Sequence, residues 1–366
     1  MAYTGDVSVE DEVSRVFMGR PHVVLLGAGA SKAALPNGDR NGQPLPLMRE
    51  VADDLGLAEL FPDDLRVLAT SDFEAAYSIL HEQGSLTISE IGERIADYFA
   101  WLRLPQEPTI YDYLLLCLRE KDAVFTFNWD PLLVEARIRL TSRGVQKLPK
   151  LFFLHGNVVI GYCEIDHISG ITDRGPYRGQ PCSKCGQCFP PSQLLFPVAE
   201  KNYQGDPFST REWAAAAEYL KHAFMMTIFG YSAPKTDVEA VRLLKAAWGE
   251  ITDRSLEQFE VICRPGADEA ALRQTWDPFI HTHHYEIVQS FFDSWMALHP
   301  RRTGEAYWSQ FLEAQFISNN PLPRSVTLDK LVEWFQPLFE AEAEAEAEAE
   351  AEAEAEAEAE AEAERP

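Results

Sequence analysis

The sequence has no apolar run approaching the roughly 20 residues that a bilayer-spanning helix needs, so no transmembrane segment is expected. Its opening residues, MAYTGDVSVEDEV, are acidic and lack a basic stretch followed by an apolar one, so no secretory signal is expected either. Cysteine is scarce and bunched: of six, four are Cys163, Cys182, Cys185 and Cys188. A disulfide framework would spread them along the chain. The bunching suits a metal or a reducing compartment, and a cytoplasmic location is expected. Positive charge is also short, with 32 Lys and Arg against 58 Asp and Glu and a net charge of -26. That balance offers no general basic field, so neither a nucleic-acid nor a membrane partner is expected.

What is present is enough for a sizeable core: 366 residues, 46% of them apolar. Residues 340–364 alternate Glu and Ala and carry 13 glutamates, so about half of the excess negative charge lies there and the rest of the chain is only moderately acidic. Alanine favours helix, yet glutamates at every second position set like charges at i,i+4. The segment reads as a marginal helix at best, a solvated tail with no chemistry.

The body alternates strands and helices. PHVVLL (21–26) has the β-branched content of a buried parallel strand and ends at a glycine. Residues 45–120 are helical in pattern, with PLMREVADDLGLAEL, FEAAYSILHEQ, ISEIGERIADYFAWL and IYDYLLLCLREK each placing apolar residues three and four apart, an insertion after the first strand. AVFTFNWD (123–130), KLFFLHGNVVIGY (150–162, a strand pair), FMMTIFGYS (224–232) and FEVICRPG (259–266) return to strand character, and DVEAVRLLKAAWGEI (237–251) is an amphipathic helix. The loop GITDRGPYRGQPCSKCGQCFPPSQ belongs to a Cys-rich module at about 160–195. Beyond Gly266 the chain reads as helical to about Phe339, with YEIVQSFFDSWMAL and TLDKLVEWFQPLF as helices. The expected fold is α/β: a Rossmann-like, mostly parallel sheet with a helical insertion, a Cys-rich loop and a C-terminal helical extension. The boundaries that follow are 1–265, 266–339 and a 340–366 tail.

Four strand ends carry polar or glycine residues. In LLGAGAS, Gly27 and Gly29 allow a tight turn into a helix whose free amides suit a phosphate, and a purely structural turn is the other reading. Lys32 stands where a dinucleotide fingerprint has its third glycine, and helices follow instead of a strand with a ribose-binding acid, which disfavours an ordinary dehydrogenase. In TFNWD, Asn128 offers a donor and an acceptor for a ribose hydroxyl or water, while Asp130 is either a ligand or the cap of the helix begun by DPLLVEAR. In FFLHGN, His155 is either a satisfied structural histidine or a proton-transfer group at the sheet's ligand-binding edge. In FGYSAPKTD, Gly230 and Ser232 form either a second phosphate or ribose turn or an ordinary loop.

GAGAS, TFNWD, LHG and GYS, in this order over about two thirds of the chain, resemble the sirtuin superfamily, and its sirtuin-like bacterial branch better than the protein deacylases. The resemblance implies that residues 1–265 form an NAD-binding domain in which Gly27, Ala28, Gly29 and Ser31 line the diphosphate. It implies that Asn128 and Asp130 hold the nicotinamide ribose, that His155 works beside it, and that Gly230 and Ser232 lie near the adenosine half. FPVAEKNY (196–203) is similar to a segment of that branch facing the same cleft. Deacylases continue from the serine into a G-I-P-x-F-R element; here the chain reads KAALPNGDRNGQPLPLM, without the Phe-Arg.

The function expected is therefore NAD hydrolysis to nicotinamide and ADP-ribose, with Asn128 and His155 as catalytic residues. By resemblance alone this serves bacterial antiphage defence under restraint from oligomerisation or a protein partner. An NAD-dependent deacylase or ADP-ribosyltransferase, and a non-catalytic NAD or ADP-ribose sensor, are the alternatives. Sirtuins hold a structural zinc on two Cys-x-x-Cys pairs after the HG. In this chain Cys163, His167, Cys182 and Cys185, with Cys188 as a substitute, form an irregular set, read either as a zinc site or as unligated thiols. HTHH (281–284) has no carboxylate or cysteine nearby and reads as surface.

Overall fold

His22–Leu26 are all buried, so this strand must be covered on both faces. Alternate residues serve opposite cores: Val24 and Leu26 pack with the helical insertion, Val23 and Leu25 with the helices of the other layer. The computed structural model describes residues 6–196, 203, 205–234 and 237–363.

In chain order the elements are β1 (Asp6–Val7), α1 (Val9–Ser14), β2 (His22–Leu26), α2 (Ala28–Ala34), α3 (Val51–Asp54), α4 (Arg66–Ser71), α5 (Phe73–Glu82), α6 (Thr87–Ala100) and α7 (Ile110–Cys117). Then come β3 (Ala123–Thr126), α8 (Leu132–Thr141), β4 (Lys150–Phe153), β5 (Ile160–Cys163), β6 (Ile168–Ile171), α9 (Pro207–His222), β7 (Met225–Phe229) and α10 (Val238–Trp248). The chain ends with β8 (Gln258–Ile262), α11 (Glu269–Trp276), β9 (Tyr285–Val288), α12 (Trp295–Leu298), α13 (Thr303–Phe311), β10 (Phe316–Ile317) and α14 (Leu328–Ala363).

Six strands form one sheet in the order β4-β3-β2-β7-β8-β9, every pair parallel. Counted along the chain this is 3-2-1-4-5-6, the doubly wound order, and its reversal falls between β2 and β7. The helices α3 to α7 form the expected insertion between β2 and β3. The antiparallel β5–β6 hairpin stands apart, so the two strands read in 150–162 belong to different sheets. Among the described residues no helix is long and apolar enough to cross a membrane.

Two expectations for the C-terminal part are corrected. YEIVQSFFDSWMAL is not one helix: β9 occupies Tyr285–Val288 as the sheet's last strand, and after it come only a 3-10 turn at Phe291–Asp293 and the short α-helix Trp295–Leu298. Pairing of Phe259 with Tyr285 through Ile262 with Val288 gives that backbone its partners, a long-range choice that local periodicity does not record. Nor is the Glu/Ala segment wholly solvated. It continues α14, and Glu342 within it is buried against Arg301 and Arg302.

Arg301 donates to Glu342 through Nε (2.6 Å) and Nη2 (2.6 Å), and Arg302 Nη1 adds a third bond at 2.9 Å. The remaining guanidinium hydrogens reach carbonyls of Leu116, Leu118 and Lys147 from Arg301, and of Val13 from Arg302. Burial opposes ionisation of Glu342, and the two guanidiniums outweigh it, holding its pKa below the ordinary glutamate value. One carboxylate thus links the C-terminal helix to α1 and to the end of α7. Glu342→Gln leaves two buried guanidiniums short of their counter-charge and is expected to cost about 3–5 kcal/mol in denaturant unfolding. Deleting residues 350–366 should change the midpoint little; equal stability of Glu342→Gln and the wild type would refute the linking role.

Candidate active site

The β2–α2 and β7–α10 turns meet at the reversal point of the sheet. Gly27 N–H donates to the Phe229 carbonyl (3.0 Å) and Gly29 N–H to the Gly230 carbonyl (2.9 Å). Added Cβ atoms would come within 2.6 Å of Gly230 O at Gly27, 2.8 Å of Gly230 Cα at Gly29, and 2.2 Å of Ala30 N at Gly230, whose φ is +66. The glycines are thus required first by the contact between two backbones. Gly27, Ala28 and Gly29 still line a cleft of about 840 Å³, together with Gly230 and Ser232. With Gly29 N–H bound to Gly230 and Ala30 N–H to Gly27, Ala28 is left as the turn amide without a backbone acceptor among the described residues.

Ser31 is fully buried and absent from the cleft wall; it lies beneath the turn. Its hydroxyl donates to Asp130 Oδ2 at 2.6 Å and lies 2.6 Å from the Tyr111 hydroxyl. Asn128, just past β3, donates through Nδ2 to the Gly27 carbonyl (2.9 Å), Ser31 Oγ (2.9 Å) and Tyr111 Oη (3.2 Å). Because a carbonyl only accepts, the Gly27 bond settles which end of the carboxamide is nitrogen. Asn128 Oδ1 is left as the atom with no protein partner among the described residues, on a side chain that lines the cleft. Asp130 also lines the cleft and accepts from Leu132 N–H at 3.1 Å, one position before Pro131, the N-cap of α8. Burial pushes its carboxyl up to about 6, against the pull of the Ser31 and Leu132 hydrogen bonds.

His155 follows β4 and lines the same cleft. Two neighbours on α9 grip the strand that delivers it: the Glu212 carboxylate accepts from Phe153 N–H (2.7 Å), and Trp213 Nε1–H donates to the Leu154 carbonyl (3.2 Å). The imidazole packs on Phe127 at 4.5 Å between ring centroids, and its Nε2 lies 3.2 Å from the Tyr203 hydroxyl. Phe127 in turn stacks on Tyr231 at 4.4 Å. Of FPVAEKNY, Phe196 and Tyr203 are placed and 197–202 lie outside the described residues; in the fourth turn, 235–236 lie outside them.

The cysteine module differs from expectation in one ligand. Cys163, Cys182 and Cys185 come together with Asp166, all four donor atoms within 4.8 Å of one another. His167 instead turns away at φ 57, its Nδ1 3.0 Å from the Tyr162 hydroxyl, and Cys188 is exposed outside the group. The hairpin turn that Asp166 occupies brings its carboxylate 3.1 Å from Cys182 Sγ, a placement that Cys-x-x-Cys spacing does not signal. The Cys163–Cys185 sulfur separation of 3.6 Å is close to the ~3.8 Å that two thiolates on one tetrahedral zinc require. The donor set fits zinc, which would tie the β5–β6 hairpin to the 182–185 loop. The far end of the module abuts the histidine loop: Leu195 N–H donates to the His155 carbonyl, and an added Cβ at Gly156 would lie 2.2 Å from Gln193 O. HTHH gathers no such set among the described residues.

The structure therefore brings Gly27, Ala28, Gly29, Asn128, Asp130, His155, Gly230 and Ser232 to one cleft at the carboxyl ends of the strands, and puts Ser31 under its floor. Tyr111, Tyr231 and Asp166 escaped sequence reasoning. Tyr111 sits in an ordinary helical repeat and Asp166 in the β5–β6 hairpin turn, and only the fold brings them beneath the cleft and to the thiols. An apolar-walled cleft with a few convergent polar groups has the size and make-up of a cofactor or small-molecule site.

No family model and no curated protein matches this chain. Among solved structures it is similar to a Sir2 homologue–NAD complex (15% identity, 83% of this chain and 98% of that chain, TM-score 0.37). It is also similar to a Sir2 homologue mutant with ADP-ribose (15%, 81% and 95%, TM-score 0.38) and to Sir2 bound to acetylated peptide (17%, 81% and 94%, TM-score 0.34).

The purified protein is expected to carry about one zinc per chain, as a four-ligand site of this kind would hold. Elemental analysis should show zinc lost in Cys182→Ser and Asp166→Ala and kept in His167→Ala and Cys188→Ser. Zinc kept without Asp166 but lost without His167 would reverse the ligand assignment.

Proposed function

We propose that the cleft binds NAD and cleaves its nicotinamide–ribose bond with water, giving nicotinamide and ADP-ribose. The observation that supports this most is the convergence of Asn128 and His155, from the ends of adjacent strands, on one cleft that the Gly27–Gly29 turn also lines. As nicotinamide leaves, positive charge develops on the ribose in the manner of glycoside hydrolysis. The bond's electron pair stays with the departing nicotinamide nitrogen, and a water oxygen bonds the ribose carbon. The water proton passes to His155, or to bulk solvent where the imidazole instead polarises a ribose hydroxyl, while Asn128 Oδ1 orients the ribose or the water. The Ala28 amide, the one in the turn without a backbone acceptor among the described residues, would face the diphosphate, and Gly230 and Ser232 the adenosine half.

By the motif resemblance, the setting is bacterial antiphage defence, with the activity restrained by self-association or a protein partner. An acyl-lysine reaction needs an acceptor that plain hydrolysis does not, and a sensor needs no catalytic pair. Incubation with NAD alone separates the three. Nicotinamide release without acceptor is expected, falling at least about 100-fold in Asn128→Ala and His155→Ala, the scale of a lost general base or positioning group. Turnover only on addition of an acylated peptide would favour the deacylase. Tight binding of NAD with no turnover would favour the sensor.

The carboxyl of Asp130 gives a pH dependence of definite sign. Because burial raises it to about 6, it takes up a proton as pH falls below about 6, and the Ser31 hydroxyl then loses its charged acceptor. Nicotinamide release should fall along an acid limb with a midpoint near that value. In Asp130→Asn, whose carboxamide does not titrate, this limb should be lost; an unchanged limb would sink the assignment.

A further inference from the structure

Tyr111 has no role in the scheme above, yet its hydroxyl touches two of that scheme's residues. It lies in the first turn of α7, after a capping box in which Thr109 and Asp112 satisfy each other's groups, and Arg139 of α8 clamps Asp112 through Nε (2.5 Å) and Nη2. At the other end of α7, Arg301 holds the carbonyls of Leu116 and Leu118. The ring is 1% exposed, so packing of the helical insertion decides where the hydroxyl sits.

We propose that Tyr111 is a positioning residue whose hydroxyl fixes the Asn128 carboxamide by completing a one-way chain of hydrogen bonds ending on Asp130. The proton count allows one arrangement while Asp130 is ionised. A carboxylate only accepts, so Ser31 donates to it (2.6 Å). Ser31 has spent its one hydrogen, so in the 2.6 Å contact with Tyr111 the phenol donates. Asn128 Nδ2 gives one hydrogen to Gly27 O and shares the other between Ser31 Oγ and Tyr111 Oη. Apart from the hydrogen given to Gly27 O, every donor points toward the carboxylate, so each bond of the chain polarises the next. Loss of the phenolic oxygen removes one acceptor from Asn128 and one donor from Ser31.

The proposal leans on the NAD-cleavage reading for its effect on rate but not for the positioning itself. In Tyr111→Phe, kcat for nicotinamide release is expected to drop by as much as about 100-fold, the scale of a misplaced reacting group, with KM changed less than about two-fold. The acid limb should move to higher pH, since Ser31 becomes a weaker donor and the Asp130 carboxylate is less stabilised. The other titratable groups facing Asp130 are Tyr111 and Tyr177, and burial raises both phenols beyond the assay range.

A readout independent of activity is the side-chain amide resonance pair of Asn128 in asparagine-labelled protein, assigned by its loss in Asn128→Asp. It should shift in Tyr111→Phe. Should that variant fail to fold, fluorotyrosine at position 111 keeps ring and hydroxyl, strengthens the donor, weakens the acceptor and should shift the same pair. An Asn128 amide unmoved by the folded variant overturns the proposal whatever the activity. A shifted amide in a protein that releases no nicotinamide leaves the positioning intact and removes the NAD-cleavage reading instead.

Discussion

The close approach of two backbones at the sheet's reversal point is the constraint on which the rest depends. Gly27, Gly29 and Gly230 have no side chains because the turn after β2 and the turn after β7 occupy the space where Cβ atoms would be. Their amides and carbonyls then bond each other directly. With those turns locked, the carboxyl ends of β2, β3, β4 and β7 hold the polar residues of a single cleft in place. A side chain at any of the three positions would push the turns apart.

Support for the cleft comes from layers distant in sequence. Tyr111 rises from the helical insertion to meet Ser31 and Asn128 under the floor, while α9 grips the strand that presents His155. The Cys163–Asp166–Cys182–Cys185 group organises the module that buttresses the histidine loop. Farther out, Arg301 joins the end of α7 to Glu342, so a residue of the repetitive tail braces the helix that carries Tyr111. The site is thus held by rigid elements whose side chains have few alternative partners, the condition for orienting a reacting group closely.

Much of this was legible in the chain. GAGAS, TFNWD, LHG and GYS each end a buried strand, and the change from an apolar run to glycine or polar residues marks a sheet edge without knowledge of the fold. Four such edges on one parallel sheet must lie side by side, so the motifs converge. The strand Tyr285–Val288 was not legible, because its apolar spacing suits a helix until β8 offers backbone partners. Asp166 was displaced in favour of His167 because residue type suggested a ligand where the hairpin directs the imidazole away. Glu342 was hidden among identical neighbours.

The local sequence by itself determined the mostly parallel α/β core, the strand-end turns and several residues of the cleft wall, because burial and turn geometry are written in neighbouring positions. Tertiary structure alone decided that Ser31 lies beneath the cleft, that Tyr111 reaches Asn128, that Asp166 joins the thiols, and that Glu342 of the alternating segment is buried. Those outcomes turn on hydrogen bonds between residues 16 to 99 positions apart. Only the packed chain specifies such pairings, since a donor's partner is set by where neighbouring elements leave an acceptor.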